Sequence, residues 1–121
     1  MAKRILALGL DPAVADLSAF PQLTPELVRS FIIAQIERVR GLGYEVDSCL
    51  VDNGETAEAV LQQQLGRSSY DCVLFGAGLR GEPQLLLFEK LLNLVHARLS
   101  QAKLCFNTTP ADTAEAVQRW V

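Results

Sequence analysis

The chain is predicted to fold as a three-layer α/β/α sandwich around a four-stranded parallel sheet of order 2-1-3-4. Three observations predict it. Short continuous apolar runs, such as Ile5-Leu6-Ala7-Leu8-Gly9-Leu10, suit strands buried on both faces. Strand and helix signals alternate along the whole chain, which implies parallel strands joined by crossover helices. Strands one and three are the most apolar, so they take the centre, and right-handed crossovers then set the order. Half of the 121 residues are hydrophobic, so residues 1–121 are expected to form one domain whose core needs neither disulfide nor metal.

The first strand, Ile5 to Leu10, stops at Asp11-Pro12. No clear period follows from Ala13 to Leu23, a connection longer than the usual loop of roughly 2–6 residues. Two readings fit it: a lid or binding segment, or a short helical turn packing Val14, Leu17 and Phe20 on the core. Thr24-Pro25-Glu26 starts a helix, with a capping threonine, a proline at the first helical position and an acid at the positive end. Leu27, Val28, Phe31, Ile32, Ile36 and Val39 form its apolar stripe, and Gln35 is the one polar member. Gly41-Leu42-Gly43 ends it.

The second strand, Tyr44 to Asp52, alternates more and starts with acids, which suits a sheet edge. Asp52-Asn53-Gly54-Glu55 is turn chemistry. Thr56 is expected to cap a shorter helix that runs through Leu65 and stops at Gly66. The third strand, Tyr70 to Phe75, delivers a glycine turn, Gly76-Ala77-Gly78-Leu79-Arg80-Gly81. The helix predicted from Pro83 to Leu99 is apolar on more than one face, with Leu86, Leu87 and Leu94 beyond the main stripe. That width predicts extra cover, from the long first loop, the last helix or a second subunit. Lys103 to Phe106 is a short fourth strand, and Thr109-Pro110-Ala111-Asp112 matches a capping box for the last helix.

Composition excludes several classes. A net charge of −3 with scattered basic residues predicts no nucleic-acid partner. No apolar stretch is long enough to span a bilayer, and Asp11-Pro12 breaks the run that would otherwise mimic a signal peptide. A cytoplasmic protein with no membrane partner is expected. Cys49, Cys72 and Cys105 are odd in number and widely spaced, which predicts neither a disulfide framework nor a zinc site. They read as small buried hydrophobes, Cys72 and Cys105 being the nearer ones to the expected site. His96, the only histidine, shares a polar helical stripe with Glu89 and Asn93, and no metal site is expected.

In an open parallel sheet, ligands bind beyond the carboxyl ends of the strands where the winding reverses, here between strands one and three. Gly76, Gly78 and Gly81 allow close backbone approach there. Arg80 offers a bidentate clamp, and Asn107, Thr108 and Thr109 add hydrogen-bonding groups from the next strand. This set predicts a small ligand bearing a phosphate or carboxylate. Asp11 is the one acid–base candidate at these strand ends. The glycines also match Gly-x-Gly-x-x-Gly formally. However, they follow the third strand, Gly81 precedes the helix, and no acid ends the next strand, so no dinucleotide is expected. With no Walker lysine either, the sequence calls for no cofactor. The same turn also reads as plain structure, because glycine is the default where the backbone turns tightly. The alternative function is a non-catalytic oligomeric or partner-binding module, a homodimer through the third helix.

The order of elements resembles the flavodoxin-like and receiver-like folds, shortened by one strand and one helix. The resemblance spans the chain as a pattern and implies the fold only. Receivers place an acid at the end of strand three, where this chain reads Phe75-Gly76-Ala77. No compact Ser/Thr-rich phosphate loop follows strand one, as a flavodoxin would need.

Overall fold

Parallel pairing organises the molecule. In the computed structural model, which describes residues 2–121, β1 (Arg4–Leu10) lies between β2 (Glu45–Val51) and β3 (Cys72–Phe75), and β4 (Lys103–Phe106) follows β3. The pairs are all parallel and the order is β2-β1-β3-β4, the flavodoxin-like arrangement predicted from the alternation. The register sets Leu8 beside both Cys49 and Phe75, and Phe75 beside Phe106, so the carboxyl ends share one edge. The acids of β2 do lie on an outer strand, where Arg4 pairs with Glu45 at 3.3 Å.

Side-chain alternation then divides the core in two. Leu6, Leu8, Val73 and Phe75 face α2 (Ala57–Leu65) and α3 (Leu85–Arg98). Ile5, Ala7, Cys72, Leu74 and Cys105 face α1 (Pro25–Gly41) and α4 (Thr113–Gln118). Each fully buried leucine, isoleucine or phenylalanine contributes about 1.5–3 kcal/mol, so these two layers dominate stability.

The helix ends follow local chemistry with two corrections. Thr24 Oγ1 accepts from the Leu27 amide at 3.2 Å, as predicted. Gly43, at φ 101°, supplies the left-handed stop after α1. Thr56 stands at the N-cap of α2, but its hydroxyl donates to Asp52 at 2.6 Å and does not cap. Asp52 orders the turn before the helix by accepting from the amides of Gly54 and Thr56. Pro83 lies in a short 3-10 turn, Glu82–Gln84, and α3 proper begins at Leu85. Much of the apolar surplus of α3 is absorbed at home, since Leu87, Phe88, Leu92 and Leu94 pack against the core. Leu85 and Leu86 stay exposed, Leu86 at 76%.

All three thiols are free and buried. Cys72 Sγ and Cys105 Sγ lie 3.3 Å apart, and the hydrogen bond between them, with burial, pushes the Cys105 thiol up. An aromatic disulfide reagent is therefore expected to find no fast-reacting thiol in the native protein and all three after denaturation. A rapid native reaction would show that one of these strands opens easily. Among the described residues, no helix is long and apolar enough to cross a membrane.

Candidate functional site

The α1 face of the sheet loses side-chain volume toward its carboxyl edge. Along β1 the residues on this face run Ile5, Ala7, Gly9, and just past β3 Leu74 is followed by Gly76. The helices above do not sink to fill the gap. A cavity of about 570 Å³ results, floored by Ala7, Gly9, Leu74 and Gly76. Val28, Ile32, Gln35 and Ile36 of α1 form one wall, and Asn107, Thr108, Thr109 and Pro110 form the opposite one.

The long connection after β1 closes the mouth. Asp11 caps a 3-10 turn, Pro12–Val14, by accepting from the Ala13 amide at 2.9 Å. Two further turns, Phe20 N to Leu17 O and Leu23 N to Phe20 O, fold the segment back toward α1. Pro12, Ala15, Leu17, Phe20 and Leu23 line the cavity from above. Phe20 is still 52% exposed and Val14 37%, so the segment is a partly solvated wall and not a turn packed on the core.

Six of the predicted site residues meet at this cavity: Gly76, Gly78, Gly81, Asn107, Thr108 and Thr109. Two do not line it. The Arg80 guanidinium donates to the carbonyl oxygens of Phe75 and Asn107 and to Asn107 Oδ1, and lies 5.3 Å from the centre of the Phe106 ring. It ties the end of β3 to the end of β4, where the sequence suggested an anion clamp. Asp11 is committed as well, because Arg29 Nη2 donates to it at 2.6 Å.

The outer wall hangs on Asp112. Its carboxylate accepts from the Thr108 amide at 2.8 Å, the Thr108 hydroxyl at 2.6 Å and the Thr109 amide at 3.2 Å, completing the predicted capping box. Behind it, Asn107 Nδ2 donates to Thr113 Oγ1, which donates to the carbonyl of Pro110. Asn107 is thus buried and engaged.

The hydrogen bonds from Thr108 hold the Asp112 carboxyl below the ordinary aspartate value of 3.8. A depressed folded value means the contribution to stability is present above the unfolded value and is lost as pH falls through the folded one. Asp112→Asn is expected to flatten the acid limb of the stability profile. Urea midpoints followed from neutral pH to below the ordinary aspartate range check this, and an acid limb identical to the wild type would refute it.

One buried polar atom of a cavity-lining residue is unmatched. Gln35 Oε1 is enclosed and has no hydrogen-bond partner, the only such buried side-chain atom among the described residues. The sequence marks Gln35 as the polar member of an apolar stripe but does not place it at the site. The shrinkage from Ile5 to Gly9 was likewise visible, as alternate residues of one strand, but it reads as cavity only once a helix lies above it. No family model, no curated protein and no solved structure matches the chain.

Proposed function

We propose that the protein binds a small, largely apolar molecule at the carboxyl ends of β1, β3 and β4. Its anionic group, a carboxylate or phosphate, sits at the glycine turn. The observation that carries this reading is the cavity of about 570 Å³, inside the roughly 300–1,000 Å³ span of small-molecule sites. Its apolar walls supply affinity through burial. Ala77 and Gly78 open the 3-10 turn Ala77–Leu79, so their amides lack an acceptor within it and serve as the anion's donors in place of Arg80. Binding without catalysis fits a wall whose one ionisable side chain is Asp16, a carboxylate already accepting from the Ser18 amide at 3.0 Å. The three free thiols suit a reducing compartment, and on that ground we place the protein in the cytoplasm.

A thermal-shift screen with alkyl and aryl carboxylates and phosphates tests the reading. A ligand at about 100 times its Kd adds roughly 2.7 kcal/mol, which moves the melting temperature by several degrees. The control is Gly9→Val. A Cβ at Gly9 meets only Leu50 Cδ2 at 3.5 Å, ordinary contact, so a branched side chain enters the cavity and suits a strand. The variant is expected to keep its own melting temperature and lose the ligand shift. A screen with no hits, or a shift that survives Gly9→Val, removes the basis of the proposal.

A second reading, self-association through α3, draws on exposed Leu85 and Leu86, which follow the cavity-lining Pro83 and Gln84 directly. Light scattering is expected to show a dimer that Leu86→Glu converts to monomer. A wild-type monomer at high concentration ends that reading.

A further inference from the structure

We infer that the ligand is an unbranched alkyl chain with an anionic head, laid across the strands with its tail against β2. The inference rests on the cavity being a ligand site and goes further by naming the shape of the ligand. Its starting point is the register of the floor. Gly9 stands beside Leu50 and, one step beyond the Leu8–Phe75 pair, beside Gly76. Asn107 follows the Phe75–Phe106 pair in the same way. Leu50, Gly9, Gly76 and Asn107 thus form one row across the sheet, and all four line the cavity. Neighbouring strands lie about 4.8 Å apart, so the row spans about 14 Å. The next row down, Ser48, Ala7 and Leu74, lines the cavity too, but below that the face is filled by packed Ile5 and Cys72. The floor is therefore a trough, long across the strands and short along them.

The two ends of the trough differ. α4 packs against β3 and β4, and at that end Thr108 and Thr109 stand beside the glycine turn that takes the anionic head. α1 packs against β2, and there the walls are Leu50, Ile32 and Ile36. Ser48 lines this end from the outer strand and is exposed, so the trough runs out to the sheet edge. A sheet twists by roughly 20–25° per strand, so the floor turns along its length. A chain follows such a floor by rotating about single bonds, whereas a rigid planar ring system long enough to fill it lifts off at one end. From the glycine turn to β2 is two strand spacings, about 10 Å. Carbon–carbon bonds of about 1.5 Å advance a zigzag chain by about 1.25 Å each, so about eight carbons cover that distance.

Calorimetric titration of the full chain tests the length. The probes are straight-chain alkanoates from hexanoate to tetradecanoate and the matching alkyl phosphates, each below its micelle limit. In whichever series binds, affinity is expected to rise about fourfold per methylene up to roughly eight to ten carbons and then stop rising, because further carbons pass the sheet edge. Ser48→Phe sets a ring on the floor at the β2 end and suits a strand. Its melting temperature should match the wild type, and the break should move about four carbons shorter, the width of one strand spacing. A rise that continues unbroken to the longest chain, or a break that Ser48→Phe leaves in place, overturns the inference. So does binding of aryl carboxylates or phosphates with no binding of either chain series, an outcome that leaves the cavity a ligand site. If neither chains nor aryl compounds bind, the cavity reading fails and this inference fails with it.

Discussion

Phe75→Ala is expected to lower the unfolding free energy by about 3–5 kcal/mol, the cost of emptying a phenylalanine site that cannot collapse. Phe75 is fully buried at the end of the central strand β3. Its ring meets those of Phe88 and Phe106 edge-on, with centroids 5.5 and 6.0 Å away, and those two rings lie 5.8 Å apart. Three mutually tilted rings form a cluster whose geometry contributes beyond burial. Removing one leaves a void bounded by α3 on one side and the sheet on the other. The melting temperature should fall by on the order of 10–20 °C. Phe75→Leu, which refills much of the space, should recover most of the loss. A destabilisation by alanine of less than about 1 kcal/mol would mean that the cluster is loosely packed and that α3 can settle onto the sheet.

Arg80→Met is expected to cost about 2–3 kcal/mol, the range of hydrogen bonds made by a charged group. The substitution keeps the aliphatic stem and removes the guanidinium that joins the carbonyls of Phe75 and Asn107 and stacks on Phe106. Arg80→Lys should not rescue it, because a single ammonium cannot fork between two strand ends. Amide exchange should quicken in β4, the short outer strand that the fork secures. Ligand shifts at the cavity should survive, since Arg80 lies outside its wall. Undisturbed stability together with lost phosphate or carboxylate binding would instead restore Arg80 to the anion-clamp role suggested by its place in the glycine turn.

These two residues show how far the sequence could be read. That Phe75 is core followed from its position in an apolar run on a strand buried on both faces. That Arg80 stands in a turn beyond that strand was equally plain. Its partners were not, because the carbonyl of Asn107 lies 27 residues away and is brought near only by β4 pairing in register with β3. An arginine beside glycines looks the same in a sequence whether it faces a ligand or a neighbouring strand end.

Residue pattern was enough to specify the fold and the edge at which a site can form. Apolar runs, caps and turn residues act over a few positions, and the winding rule converts their order into strand order 2-1-3-4. It also set the glycines of the third strand's turn at that edge, where six of the expected residues meet. Which face of that edge is hollow depends on packing in three dimensions. The hollow arises where Ala7, Gly9 and Gly76, small residues on two different strands, lie under a helix held away from them. Tertiary packing likewise turned Arg80 and Asp11 to structural bonds and left Gln35 unmatched, because a hydrogen-bond partner is a matter of distance in space and not of spacing along the chain.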